Sequence, residues 1–117
     1  MMAHQDQALD ESEIRDRLGG LASWALDSGA LRRTFKTDGW RGSMLVANAI
    51  AFICEAADHH ADLTVTWPSV SVALSTHSAG GITAKDFEVA ELIERQVTWK
   101  PSAGSALAGP AKPFVKD

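Results

Sequence analysis

The chain has 117 residues, of which 45% are hydrophobic and 22% charged, which is typical of one globular domain. Its net charge is −4 and it has no stripe of Lys and Arg to meet phosphates, which argues against nucleic-acid binding. The longest apolar run, residues 44–57, contains Asn48 and Glu55 and is too short to span a bilayer, and no early run resembles a signal peptide, so we expect no membrane segment.

The first elements predicted along the chain are a short helix and two strands. Acidic residues in the first turn favour a helix over 10–18, because they complement the helix dipole. Residues 21–26 and 30–36 alternate between apolar and polar side chains on either side of a glycine-containing turn, which indicates two strands. Arg32 and Arg33 are adjacent, so they blur the register of the second strand.

A second helix is expected to begin at a cap formed by Asp38 or Ser43 and to end near Asp58. Its interior is apolar nearly all round, so it has to be covered on more than one side. One face would pack on the sheet and the other on another subunit, which predicts a homodimer or homotetramer. The alternative is that its alanines leave the outer face only mildly apolar.

The second half of the chain predicts two strands and a final helix. Residues 63–67 and 70–74 alternate with period two, as in half-buried strands. The helix begins at Thr83, with Asp86 as its capping-box partner, and this cap alone explains why an acidic residue stands at position 86. Along this helix we expect one apolar face and one acidic, solvent-facing side that includes Glu94.

The predicted order α-β-β-α-β-β-α indicates an α+β fold, a two-layer sandwich in which helices pack on an antiparallel four-stranded sheet. We expect one domain over residues 1–97, with 1–8 frayed. Pro, Gly and Ala are frequent over residues 98–117, which predicts a disordered C-terminal tail.

Residues 55–86 contain three of the four histidines and hold the candidate site. Glu55 and His59 are four residues apart at a helix C-terminus, so we expect their side chains to touch. The strand pair would return His77 towards His59 and His60. Imidazole exchanges protons near neutral pH, so the cluster predicts acid/base catalysis.

A metal site is the rival interpretation of this cluster. The three imidazoles, with Asp58 or Asp62, could hold zinc. Adjacent histidines rarely bind one ion together and there is no second cysteine, so we expect no metal. Cys54 lies in the apolar helix and is expected to be a core residue. As the single cysteine it cannot form an internal disulfide, which predicts a reducing cytoplasm.

The same stretch resembles the pterin-4a-carbinolamine dehydratases (4a-hydroxytetrahydrobiopterin dehydratases). Their hallmark is an acidic residue, three spacers, His-His-Pro, a strand pair, Ser/Thr-Thr-His, a Gly-containing turn and an Asp. The matching residues here are Glu55, His59-His60-Ala61, Ser75-Thr76-His77, Gly80-Gly81 and Asp86. The chain departs from the pattern at Ala61, where the family has Pro, and at Leu63, where an aromatic is common.

The resemblance implies loss of water from 4a-hydroxytetrahydropterin without a cofactor. In that case His59 would be the principal general acid and His60 a second acid or an orienting donor. His77 would bind the pterin or relay a proton, and Glu55 would orient a histidine or act as a local base. The implied substrate contacts are Ala61, Thr76, Ser78, Ala79 and Trp67, with Trp67 or Trp40 replacing the missing aromatic.

A second function class stays open beside the enzyme, namely a partner-binding or assembly module of the same fold. Relatives of the resembling family include a dimerisation cofactor of a homeodomain transcription factor and assembly factors. Relatives that only bind partners often lack the histidines, whereas this chain has all three. The sequence therefore favours chemistry, with a reduced pterin as the small-molecule partner and no nucleic acid.

Overall fold

Helices cover one face of a four-stranded antiparallel sheet in the computed structural model, which describes residues 7–116. The predicted fraying concerned residues 1–8, of which residues 1–6 lie outside this range. The elements are α1 (Glu11–Leu18), β1 (Ala25–Asp27), β2 (Ala30–Lys36), α2 (Trp40–Ala57), β3 (Asp62–Thr66), β4 (Ser69–Leu74) and α3 (Ala84–Val97). The predicted element order and the α+β two-layer architecture are confirmed.

The strands lie in the order β1-β2-β4-β3, and every neighbouring pair is antiparallel. β4 is central, and its period-two pattern buries Val70, Val72 and Leu74 as predicted. On β2, Leu31 pairs with Leu74 and Phe35 pairs with Val70, so the apolar side chains of the two strands share the covered face. The other face carries polar side chains such as Arg32, Thr34 and Ser71.

The first strand is shorter than predicted. Residues 21–24 form a turn instead, because Leu21 N–H donates to Leu18 O and Trp24 N–H donates to Leu21 O, each over 2.9 Å. These backbone groups are therefore not available for a ladder, and β1 begins only at Ala25. The turn directs the Trp24 ring inward, where it is buried.

Neither predicted side chain caps α2. Its N-cap is Gly39 at φ 149°, a backbone conformation that favours glycine, and no side chain caps the helix. Ser43 lies inside the first turn and is fully buried, where its hydroxyl contacts Thr37 Oγ1 at 2.7 Å and donates to Trp67 O at 3.0 Å. The predicted end near Asp58 is correct, since Asp58 is the left-handed C-cap.

The predicted start and apolar face of α3 are confirmed. Thr83 Oγ1 accepts from Lys85 N–H at 3.2 Å, and Asp86 accepts from Thr83 N–H at 2.9 Å, which completes a capping box. Four apolar side chains at helical spacing are buried against the sheet and α2, as predicted: Phe87, Ala90, Ile93 and Val97.

The expectation that Glu94 faces solvent is wrong. Arg33 points to the covered face of the sheet and is buried, and its Nε and Nη2 donate to Glu94 at 2.9 and 3.1 Å. Trp24 Nε1 donates to the same carboxylate at 2.8 Å. A buried guanidinium needs such an anionic partner, and the pair fixes α3 against β2.

The end of the C-terminal tail is ordered, contrary to the prediction. Val115 is buried and forms an isolated bridge with Thr37, and Lys116 N–H donates to Lys36 O at 2.8 Å. Phe114 O passes so close to α2 that a Cβ on Gly42 would lie 2.9 Å from it. The apolar residues at 114 and 115 thus extend the core, which a count of Pro and Gly could not indicate.

Candidate active site

Strand register brings the two histidine segments to one end of the sheet. β3 begins at Asp62, which pairs with Ala73 near the end of antiparallel β4. His59 and His60 precede β3, with Ala61 between, and His77 follows β4 after two intervening residues. The two segments therefore meet at the same end of the sheet, as the predicted hairpin implied.

The exit from α2 determines which carboxylate each histidine meets. Asp58 adopts the left-handed conformation (φ 52°, ψ 43°), and His59 N–H donates back to Cys54 O at 3.1 Å. The helical spacing ends there, so the predicted contact between Glu55 and His59 does not form. Glu55 Oε1 instead lies 2.9 Å from Nε2 of His60.

His59 reaches across to the start of α3. Its Nε2 lies 2.6 Å from Asp86 Oδ1, and the two side chains are 13% and 0% exposed. The other carboxylate oxygen, Oδ2, accepts from Thr76 Oγ1 at 2.7 Å and from Thr83 N–H at 2.9 Å. Three hydrogen bonds thus compensate the cost of burying the carboxylate.

Asp86 therefore links the two halves of the site directly. One oxygen contacts the segment after α2 and the other contacts the segment after β4. The expectation that Asp86 is explained by the helix cap alone is wrong, because the cap uses only Oδ2. The sequence contained one signal for this contact, because Asp86 belongs to the same family hallmark as the three histidines.

His60 and Glu55 form an exposed counterpart to this buried pair. Their side chains are 58% and 84% exposed. Water competes for both groups, so the contact orients the imidazole only weakly. The same exposure leaves His60 accessible to a bound molecule and to solvent protons.

A short 3₁₀ turn, His77–Ala79, carries the third histidine. His77 and Ser78 are exposed and Ala79 is half-buried. The turn closes through Ala79 N–H to Thr76 O at 3.1 Å and ends at Gly80, whose φ of 71° suits a glycine. The side chains of His77 and Ser78 thus face outward beside a fixed backbone.

Thr76 is buried below this turn and already has partners inside the protein. Its hydroxyl donates to Asp86 and contacts Thr83 Oγ1 at 2.8 Å, and its backbone N–H and C=O pair with Gly81. These contacts make Thr76 a support for the turn rather than an exposed hydrogen-bonding group.

Ala61 and Cys54 lie behind the histidines. Ala61 is half-buried against the core, and its backbone hydrogen-bonds the Cys54 thiol. Burial raises the pKa of this thiol, and the backbone hydrogen bond offsets only part of the shift. Cys54 is thus a core residue, as predicted. Leu63, in place of the aromatic, is half-buried against the same core.

Neither predicted tryptophan can wall the site of its own chain. Trp67 lies in the β3–β4 turn, which is about 16 Å from the histidine end of β3 at 3.3 Å per residue. Trp40 begins α2, so the 18-residue helix separates it from His59 by about 27 Å. The prediction failed for Trp67 because a two-strand hairpin places its turn at the end opposite to its termini, and for Trp40 because it lies at the opposite end of α2 from His59.

Residues 7–116 contain no group of three or more His, Cys, Asp or Glu side chains arranged to hold a metal ion. The zinc alternative, which required three imidazoles with Asp58 or Asp62, therefore lacks its ligand set within this range. Within the same range, no helix has the length and hydropathy needed to cross a membrane.

A second surface feature lies on the helical layer. α2 and α3 leave a groove of about 510 Å³ between them, and Phe52 at its rim is 74% exposed. Leu45 and Leu92 on the same helices are also exposed. An apolar surface of this kind is typical of a face that meets another protein.

The family described as pterin 4 alpha carbinolamine dehydratase matches residues 7–96. Two relatives that carry this name provisionally match this chain over nearly their whole length. The protein from Roseiflexus castenholzii is 40% identical over 86 residues, which are 74% of this chain and 92% of that protein. The protein from Sulfolobus acidocaldarius is 42% identical over 87 residues, which are 74% of this chain and 96% of that protein.

A solved structure agrees with these matches. The crystal structure of a transcriptional coactivator/pterin dehydratase from Brucella melitensis superposes with a TM-score of 0.74 at 27% identity. The match covers 80% of this chain and the whole of that chain.

Proposed function

Because the chain belongs to the pterin-4a-carbinolamine dehydratase family, we propose that it removes water from a 4a-hydroxytetrahydropterin to give a quinonoid dihydropterin. In this step the C4a–O bond breaks, the hydroxyl gains a proton, and the adjacent ring nitrogen loses one. No electron leaves the pterin, so histidines suffice and no redox cofactor is needed. The product would then be reduced again in tetrahydropterin recycling.

One observation carries this proposal. The buried carboxylate of Asp86 contacts both His59 and Thr76, and so joins the two segments that hold the histidines of the family hallmark. This contact fixes the His59 imidazole beside the segment that carries His77, and a fixed proton-exchanging group is what acid/base catalysis requires.

The three histidines have different surroundings, which supports a division of work. His59 and His60 would exchange the two protons, and Glu55 would orient His60. His77, exposed on its turn, would bind the pterin, and its neighbours Ser78 and Ala79 would offer contacts to the polar edge of the ring. Ala61 would line the site beside His60.

The test follows dehydration of freshly generated 4a-hydroxytetrahydropterin by absorbance, without added metal. We expect the wild type to accelerate water loss, and His59→Ala and His77→Ala each to lower the rate at least ~100-fold. His4→Ala is the matched control, because the sequence gives His4 no role. A wild-type rate equal to the uncatalysed rate would contradict the proposal.

The exposed groove favours a second proposal, which concerns assembly. We propose that a second copy of the chain covers the groove between α2 and α3, so that the protein is a homodimer or homotetramer. Sedimentation of wild type and Phe52→Glu tests this, with Trp67→Glu as a control at another exposed aromatic. We expect Phe52→Glu alone to shift the protein to a smaller species.

A monomeric wild type would favour the alternative function, a module that uses this apolar surface to bind a different protein. The dual name of the Brucella melitensis protein, coactivator and dehydratase, gives that alternative its support. Activity in the dehydration assay would then show whether chemistry accompanies binding.

A further inference from the structure

We infer that Asp86 is a positioning residue that holds His59 as the tautomer protonated on Nε2, so that Nδ1 is the nitrogen that exchanges a proton with the substrate. The structural half of this inference stands on the contacts of Asp86 alone. The catalytic half rests on the proposed function, since it assigns His59 a role in the dehydration.

The two oxygens of Asp86 have separate tasks. Oδ2 completes the helix cap, because it accepts from Thr83 N–H and from Thr76 Oγ1. Oδ1 contacts His59 Nε2 at 2.6 Å, and the cap makes no use of it. The need for a cap therefore explains the contacts of Oδ2 but not the contact between Oδ1 and His59.

The other capping box of the molecule provides an internal comparison. At the start of α1, Glu13 Oε1 accepts from Asp10 N–H at 3.0 Å, and Asp10 accepts from Glu13 N–H at 2.8 Å. Glu13 is exposed, and its second oxygen has no hydrogen-bond partner among residues 7–116. A capping box thus forms here although its carboxylate is exposed and contacts no histidine. The carboxylate of Asp86, in contrast, is buried and contacts His59.

Donor and acceptor rules fix the tautomer. A carboxylate only accepts hydrogen bonds, and imidazole binds a proton more tightly than a carboxylate does, so the shared proton resides on Nε2 of His59. In the neutral ring Nδ1 then carries the lone pair. Within residues 7–116, Nδ1 has no hydrogen-bond partner, and the side chain is 13% exposed. Its lone pair is therefore not engaged by a partner within this range.

This tautomer makes His59 a proton acceptor in the dehydration. Nδ1 takes the proton from the pterin ring nitrogen, the C4a–N5 double bond forms, and the C4a–O bond breaks. Asp86 stabilises the imidazolium that results. The leaving hydroxyl takes its proton from a second group, for which the accessible His60 is suited. The acid role that the resemblance implied for His59 thus passes to His60.

The first measurement needs no substrate. Histidine is labelled with ¹⁵N, and the ring nitrogens of His59 are observed by NMR at a pH where the imidazole is neutral, with His59→Ala to assign the signals. We expect the proton on Nε2. A proton on Nδ1 in the wild type would overturn the inference, whatever the activity of the protein.

The second measurement inverts the tautomer with Asp86→Asn. The amide oxygen of Asn has to face Thr83 N–H, which can only donate, so the NH₂ group faces His59 and Nε2 has to accept. We expect the His59 proton to move to Nδ1 and kcat to fall at least ~100-fold, with KM nearly unchanged.

Thr83→Ala is the matched control for loss of the cap. It removes the hydroxyl that accepts from Lys85 N–H and contacts Thr76 Oγ1, but it keeps the Thr83 N–H that donates to Asp86 and leaves Oδ1 and His59 in place. We expect a lower Tm, with the wild-type tautomer and the wild-type kcat per folded molecule. Equal losses of kcat in Thr83→Ala and Asp86→Asn, with no change of tautomer, would reduce Asp86 to a cap and overturn the inference.

Two further outcomes separate this inference from the proposed function. If Asp86→Asn does not fold, the position of the His59 proton in the wild type alone tests whether Asp86 holds the Nε2-protonated tautomer. If the wild type has the expected tautomer but does not dehydrate the pterin, the proposed function fails and the catalytic half fails with it, while the positioning contact stands.

Discussion

His59 and His60 are adjacent in the chain and each contacts a carboxylate, yet the two pairs lie in opposite surroundings. The pair of His59 with Asp86 is buried, and the pair of His60 with Glu55 is exposed. An exposed ion pair contributes about 0–1 kcal/mol, whereas removing the partner of a buried charged group costs about 3–5 kcal/mol, because that charge is left without compensation. The comparison teaches that one motif can hold a fixed imidazole beside an adaptable one. The proposed elimination of water would use both, because one proton is taken and another is delivered.

The largest expected effect comes from Asp86→Ala. It removes the partner of His59, of the Thr83 N–H and of the Thr76 hydroxyl, so we expect the free energy of unfolding to fall by about 3–5 kcal/mol. Urea denaturation followed by tryptophan fluorescence measures this. Glu55→Ala is the control and should stay within about 0.5 kcal/mol of wild type. Similar losses in both variants would erase the distinction between the pairs.

A third carboxylate pair lies between these extremes and sharpens the comparison. Glu94 is partly buried and accepts from Arg33 and from Trp24. We expect Glu94→Ala to lower the free energy of unfolding by about 1–3 kcal/mol. Buried donors lose a charged acceptor, but Glu94 is 26% exposed, so water can reach the vacated position and limit the loss. The same urea titration checks it. A loss as small as that of Glu55→Ala would mean that burial does not rank these pairs.

Local patterns predicted the scaffold well. Period-two alternation placed Val70, Val72 and Leu74 on the covered face, and helical spacing gave the apolar face of α3. Both patterns reflect the burial of side chains relative to their own backbone. Sequence alone is therefore enough to find them, and the capping box at Thr83 is local in the same sense.

The pairing of charges could not be predicted in this way. Helical spacing matched Glu55 with His59, but the left-handed Asp58 ends the helix first, so Glu55 meets His60. The true partner of His59 is Asp86, 27 residues away, and their contact depends on how α3 packs beside the hairpin. Arg33 likewise finds its partner 61 residues away. Such contacts have no local signature.

Cys54 offers a local probe of the buried pair. Burial raises the pKa of its thiol, so less thiolate is present at a given pH, and the labelling rate should rise with pH through a midpoint above that of an unfolded cysteine. Because His59 N–H donates to Cys54 O, loosening the His59 segment should expose the thiol.

We therefore expect Asp86→Ala to speed the reaction of Cys54 with a disulfide reagent about 10-fold or more under native conditions, since local opening should cost less in that variant. Glu55→Gln is the control and should react at the wild-type rate. Labelling that is unchanged in Asp86→Ala would mean that the pair does not hold this segment closed.

The smallest effect should come from Glu55→Gln, which keeps a hydrogen-bond acceptor for His60 but removes the charge. We expect an unfolding free energy within about 0.5 kcal/mol of wild type, because both side chains are exposed. An exposed pair couples by at most about 1 kcal/mol, and a tenfold rate change needs about 1.4 kcal/mol, so kcat should fall less than about 10-fold. The absorbance assay measures it beside Asp86→Asn. An equal or larger fall in Glu55→Gln would indicate that a bound pterin or a second subunit buries this pair, so that the difference between the two imidazoles holds only for the isolated chain.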